Sequence, residues 1–150
     1  MFNAYLWLKF VHVTAAILWV GGVVVLAVLA RRSARDPGAA GELPIHRHPI
    51  GRALIQPAMI VTIVAGLALG HLRGSMPPWA TWGLVVAVAT VVVVLGFIRR
   101  YDRELLALAA NGEGNAVREA VLRRRIARLG MLNIVLLLSA VWAMVYKPSF

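Results

Sequence analysis

The chain contains no cysteine, and only six of its 150 residues are acidic. The missing cysteine excludes a disulfide framework, a thiolate metal site and a cysteine nucleophile. Glycine-rich phosphate loops, nucleophile elbows and zinc-protease motifs are also absent. An intramembrane carboxylate for a proton-relay pump is excluded as well, because every acidic residue lies outside the long apolar stretches: Asp36, Glu42, Asp102, Glu104, Glu113 and Glu119.

Long apolar blocks dominate what remains, since 61% of the residues are hydrophobic. A block of about 18 or more apolar residues crosses the bilayer core as one helix, whose backbone groups bond to one another. Positive charges follow the first block, whereas in a cleaved signal peptide they stand before the apolar stretch. We therefore expect this segment to remain in the mature protein. The sequence therefore predicts an all-α integral membrane four-helix bundle, a single transmembrane domain over 1–150 with spans at about 5–30, 54–70, 79–98 and 129–146.

The basic residues predict the orientation of this bundle. Lys9, Arg73 and Lys147 lie at one side of the predicted bundle, and the other thirteen basic residues lie at the opposite side. Since the cytoplasmic loops of membrane proteins carry an excess of lysine and arginine, we expect the basic loops in the cytoplasm and both termini outside. Tryptophan prefers the interface, and the positions of four tryptophans at the outer boundary agree with this orientation: Trp7, Trp79, Trp82 and Trp142.

The net charge of +10 also raises the possibility of nucleic-acid binding. The basic residues lie directly beside the apolar blocks, however, where they orient a membrane protein and meet anionic lipid. We therefore expect the lipid bilayer as a partner and no nucleic acid. Four short spans with small-residue faces also favour packing against other membrane subunits or a second copy of the chain.

His12 is the clearest candidate for chemistry, because an ionisable group inside a span is costly. It lies roughly 10 Å below the outer boundary by helix rise. Lys9, Ala16 and Trp19 share its helix face at spacings of three and four, and the small residues leave room for a flat ligand. Two interpretations are equally open: a neutral imidazole that ligates haem iron, or a histidine that hydrogen-bonds to a neighbouring helix.

Three cations and several weaker candidates complete the set. Lys9, Arg73 and Lys147 lie on the outer side, where each either pairs with a carboxylate such as a haem propionate or is simply solvated. His71 lies too near the boundary to share a haem with His12. The remaining side chains are weak metal candidates, for which packing or a solvated loop is the simpler explanation: His46, His48, Met59, Met131 and Met144.

Three motifs resemble a superfamily of small bacterial membrane proteins. It includes CopD-type copper-resistance proteins, HemJ-type protoporphyrinogen oxidases and a branch of unknown function. The resemblance rests on Tyr5-Leu6-Trp7-Leu8-Lys9-Phe10-Val11-His12 with Trp19-Val20-Gly21-Gly22, on Ile55-Gln56-Pro57-Ala58-Met59, and on Met144-Val145-Tyr146-Lys147-Pro148. It implies a multi-pass protein of the bacterial cytoplasmic (inner) membrane and, at His12, a ligand of b-type haem.

Two departures place the chain nearest the unknown-function branch. HemJ-like third helices carry a lysine and histidines, whereas Trp82 to Ile98 contains no ionisable residue. Their fourth helices open with Asn-Glu-x-Pro, where this chain has Leu132-Asn133-Ile134-Val135. We therefore predict a haem-b-binding membrane protein with a redox or accessory-subunit role, in which His12 ligates iron and Lys9, Trp19, Arg73 and Lys147 complete the cofactor site. The alternatives are HemJ-like protoporphyrinogen oxidation and a cofactor-free or copper-handling scaffold.

Overall fold

The structure, a computed structural model, describes residues 3–36, 49–110 and 116–148. Within these ranges all regular elements are helical: α1 (Ala4–Arg35), α2 (Gln56–Arg73), α3 (Pro78–Val92), α4 (Arg99–Ala110) and α5 (Ala116–Tyr146). A π-helical segment, Gly51–Ile55, leads into α2, and a second, Val93–Ile98, joins α3 to α4. Four continuous helices in the described ranges are thus long and apolar enough to cross a membrane, which confirms the predicted fold class.

The helices continue past the apolar blocks at their arginine-rich ends. α1 runs five residues beyond the predicted end of the first span at Ala30. α5 is one continuous helix that begins at Ala116, thirteen residues before the predicted start of the fourth span at 129. Arginine is a good helix former and neither segment contains a proline, so the helix persists where the chain leaves the apolar region.

Side-chain and backbone caps define the other ends of the helices. The side chain of Asn3 accepts a hydrogen bond from the backbone N–H of Leu6 and caps α1. α2 ends at Gly74, whose φ of 73° is the left-handed conformation that glycine adopts without strain. Pro57 lies in the first turn of α2, where its missing N–H is not needed. The N–H of Gln56 before it donates to the carbonyl of Gly51.

Small residues let the helices approach one another closely. α1 packs along both α2 and α5, and α3 packs on α5. An added Cβ at Gly130 of α5 would lie 3.3 Å from the Cβ of Ala27 in α1, and one at Gly22 would lie 2.7 Å from Cγ1 of Ile55. Close packing of this kind is the main source of helix association in a bilayer. Ile55 therefore fills the space beside Gly22.

The bundle has two chemically different ends. We call the end that carries Asn3, the turn from Gly74 to Pro77 and Lys147 the terminal end, and the opposite end the basic end. The described acidic residues all lie toward the basic end, where Arg118 of α5 bonds to Glu104 of α4 at 2.6 Å. Ile126 is fully buried there against Ala30 and Ala127. The basic end is thus closed by packed side chains and ion pairs, whereas the candidate site lies toward the terminal end.

Candidate functional site

A cavity of about 260 Å³ lies in the terminal half of the bundle. α1, α2, α3 and α5 all contribute to its wall, and most of the lining is apolar. The five residues predicted for the cofactor site all line it: Lys9, His12, Trp19, Arg73 and Lys147. The structure therefore brings together side chains from three separate helical segments of the sequence, while their binding roles stay predictions.

His12 is held by the backbone of α2. Its Nδ1 lies 2.8 Å from the carbonyl oxygen of Thr62. Since a carbonyl only accepts, Nδ1 donates this hydrogen bond, and in the neutral imidazole Nε2 keeps its lone pair. Nε2 makes no hydrogen bond to the described residues. A backbone bond that fixes the ring and leaves the second nitrogen available is the usual arrangement of a metal-ligating histidine.

The hydrogen-bonded alternative from the sequence is thus also realised, because His12 does bond to a neighbouring helix. The two interpretations are compatible, since the bond uses only one ring nitrogen. Thr62 is buried, and its hydroxyl donates to the carbonyl of Ala58 at 2.7 Å. This second bond keeps the polar side chain of Thr62 satisfied inside the bundle.

Gly66 gives the imidazole its place against α2. A Cβ added there would lie 3.0 Å from Cε1 and 3.3 Å from Nδ1 of His12, closer than ordinary van der Waals contact. The ring therefore packs directly on the helix backbone, and a side chain at this position would push it away. Trp19 forms the inner end of the cavity; it is only 4% exposed and packs with Val86 and Leu137 in the main core cluster.

Three cations line the cavity, with Lys9 on α1, Arg73 at the end of α2 and Lys147 just after α5. Arg73 and Lys147 both approach the ring of Trp79, with Cζ and Nζ at 5.8 and 6.0 Å from its centroid. Cation–π contacts of this length weakly position a side chain without neutralising it. Because the described acidic residues lie toward the basic end, these cations suit the carboxylates of a ligand.

The side chains of Met76 and Met144 also line the cavity, although the sequence offered Met144 only as a weak metal candidate and did not single out Met76. Met144 of α5 reaches α3, because a Cβ added at Gly83 would lie 2.7 Å from its Cε. Met76 lies in the turn and covers Gly70. Gly66 and Gly70, one helical turn apart on α2, thus accommodate the side chains of His12 and Met76.

The other candidates lie away from the cavity. His71 is exposed and is not among its lining residues, as its boundary position suggested. Met59 packs against the core cluster, and Met131 is exposed. His46 and His48 lie outside the described residues. Within the described ranges no group of three or more His, Cys, Asp or Glu side chains could hold a bare metal ion.

Comparison with known proteins then places the chain. The family described as "Predicted integral membrane protein (DUF2269)" matches residues 6–148, which is almost the whole sequence. The chain belongs to the DUF2269 family. This DUF2269 protein is therefore an integral membrane protein embedded in a lipid bilayer, as its four apolar helices require.

A curated relative of this DUF2269 protein is the protoporphyrinogen IX oxidase of Rickettsia prowazekii (strain Madrid E). The two are 27% identical over 109 residues, which cover 69% of this chain and 74% of the relative. The similarity agrees with the HemJ-type resemblance of the sequence, whereas the relation to copper-resistance proteins stays a prediction. No solved structure matches the DUF2269 protein.

Proposed function

We propose that this DUF2269 protein binds b-type haem in the cavity of the terminal half, with Nε2 of His12 as an iron ligand, and that it serves as a redox protein or accessory subunit of the bacterial cytoplasmic membrane. The observation that carries the proposal is the His12–Thr62 hydrogen bond, which orients the imidazole and keeps Nε2 available. Haem iron commonly takes such a histidine as its proximal ligand.

The surroundings of His12 fit a flat amphipathic dianion. Gly66 leaves the imidazole room against α2, and the lining beyond it is apolar. Lys9, Arg73 and Lys147 would bind the carboxylates at the terminal end. When bound, haem would supply one-electron chemistry, while the chain's own part is to ligate the iron, to exclude water with Trp19 and to pair the carboxylates.

The experiment is an absorbance spectrum and a pyridine haemochrome assay of protein purified after expression with ample haem. We expect a Soret band and about one haem per chain in the wild type. His12→Ala should lose most of the haem, while His71→Ala, which alters an exposed histidine near the same end, should retain it. A wild type that binds no haem, or a His12→Ala variant that retains all of it, would contradict the assignment.

A second candidate function is protoporphyrinogen oxidation, with electrons passed to quinone. It is favoured by the similarity to the Rickettsia prowazekii enzyme. The apolar lining and the three cations suit a flat tetrapyrrole with carboxylates, yet the third span provides no ionisable side chain between Trp82 and Ile98. Rescue of a bacterial strain that lacks protoporphyrinogen oxidase would establish this activity, and failure to rescue would argue against it.

Stoichiometric copper in the purified protein, without haem, would instead favour the copper-handling alternative.

A further inference from the structure

Two side chains that ligate haem iron in other proteins line the cavity and pack against different helices. His12 lies against α2, where its ring packs on Gly66. Met144 lies against α3, where its terminal methyl packs on Gly83. His12 belongs to α1 and Met144 to α5, and these two helices pack together and also line the cavity. A planar ligand between the two walls would therefore have the imidazole on one face and the thioether on the other.

The gap between these walls is a property of the helix arrangement. α2 and α3 are consecutive and joined by a short turn, yet they make few direct contacts with each other. Each packs on a different helix, α2 on α1 and α3 on α5. Residues of both line the cavity, so the cavity separates them. The space between His12 and Met144 is thus bounded by helix faces and not by a loop.

The helix positions that the two side chains touch lie at similar depths, although the backbone of Met144, two residues before the end of α5, lies nearer the terminal end than that of His12. Gly66, which touches His12, precedes the end of α2 at Arg73 by seven residues, or about 10 Å along the helix. Gly83, which touches Met144, follows the start of α3 at Pro78 by five residues, or about 8 Å. Because one turn joins these two helix ends, the contacts lie within a few ångströms of the same level. Two ligands of one iron need similar depths, so these contacts favour the pairing of His12 with Met144.

We propose that the thioether sulfur of Met144 is the second axial ligand of the iron, opposite His12. The inference rests on the proposed haem site. Met144 is half-buried, and Gly83 accommodates its terminal methyl. Methionine opposite histidine gives a six-coordinate iron and raises the reduction potential relative to a haem that lacks it. The site would then serve electron transfer, because it leaves no open iron position for a substrate.

The test is Met144→Leu, which conserves volume and so keeps the helix packing. The haem-loaded wild type should show a low-spin, six-coordinate absorbance and paramagnetic resonance spectrum. In Met144→Leu we expect a high-spin spectrum, a lower midpoint potential and unchanged haem stoichiometry. Met144→His should restore the low-spin spectrum at a potential below that of the wild type, because a nitrogen replaces the sulfur.

Two matched controls separate ligation from general disturbance of the bundle. Met59→Leu alters a core methionine outside the cavity, and Met76→Leu alters a methionine that lines it in the turn. Both should keep the low-spin spectrum. A low-spin spectrum retained in Met144→Leu, or lost in Met76→Leu alone, would overturn the role of Met144 while haem binding stands. A wild type that takes up no haem would overturn the haem site as well.

Discussion

Gly66→Ala is a sharp test of how the bundle holds His12. The added Cβ would lie 3.0 Å from Cε1 and 3.3 Å from Nδ1, where ordinary contacts begin at 3.4 Å. The ring must therefore shift by a few tenths of an ångström into the cavity, which lengthens its 2.8 Å bond to the Thr62 carbonyl. Overpacking of this kind costs about 1–3 kcal/mol.

The gain in helix propensity opposes this cost. Replacing glycine by alanine within a helix contributes about 1 kcal/mol. Gly21→Ala is the matched control, because an added Cβ at Gly21 meets nothing within 4 Å. We therefore expect Gly66→Ala to be less stable than Gly21→Ala by about 1–3 kcal/mol, even if each differs little from the wild type.

Unfolding of both variants in the same detergent measures this difference without any ligand. In a haem titration Gly66→Ala should bind about 10–100-fold more weakly, as disturbed second-sphere contacts do at metal sites. Gly21→Ala should bind like the wild type. Equal stability of the two variants would refute the packing of His12 on Gly66. A stability difference with unchanged haem affinity would refute only the role of the histidine in haem binding.

Four further predictions address the rest of the bundle. Because the chain lacks cysteine, single variants Asn3→Cys and Arg103→Cys report the orientation: a membrane-impermeant maleimide added to intact cells should label the first and not the second. Gly130→Val should destabilise the protein by about 1–3 kcal/mol in a thermal unfolding assay, since even a Cβ would lie 3.3 Å from the Cβ of Ala27. Ser139→Ala should cost about 0.6 kcal/mol in the same assay, because it removes the acceptor of the Trp82 indole N–H at 3.2 Å. Glu104→Gln should cost less than about 1 kcal/mol, since its partner Arg118 is 62% exposed; a larger loss would show that the pair is shielded from water.

The three cations that line the cavity, Lys9, Arg73 and Lys147, offer a further check on the site; we call them the rim cations. Arg73→Gln and Lys147→Gln each remove one charge near Trp79 and leave the His12 bond intact. If the three cations pair with ligand carboxylates, each variant should weaken haem binding several-fold and not alter the spectrum of the bound haem. Arg52→Gln at the basic end is the control and should bind normally. Equal binding by all three variants would identify the rim cations as solvated side chains.

The fold class could be predicted because the bilayer imposes it. A long apolar block has only one way to satisfy its backbone groups in lipid, so block length and charge position sufficed for four spans. The predicted helix ends at the terminal end were close: α3 and α5 match the predicted boundaries at 79 and 146 within one residue, and α2 runs three residues past the predicted end at Gly70. The predicted helix ends at the basic end were further off, because no local signal ends α1 at Ala30 or starts α5 at Leu129.

The face of α1 that carries Lys9, His12 and Trp19 follows from helix periodicity alone, and the sequence identified it. The periodicity could not show which residues of the neighbouring helices contact that face. The sequence does not show that Thr62 accepts from His12, that Ile55 closes the space beside Gly22, or that Met144 reaches Gly83. These contacts depend on which helices are neighbours and how far each slides along the next, and small packing residues permit several such arrangements.

The candidate site shows this division most clearly. By itself the sequence determined a membrane bundle, a histidine within its first span and three cations on one side, since each is a matter of composition and spacing along one helix. Only the tertiary structure shows that α2 and α3 make few contacts with each other while α1 and α5 pack together. The reason is physical: a cavity is the space that packing leaves unfilled, and packing is a property of all the helices together.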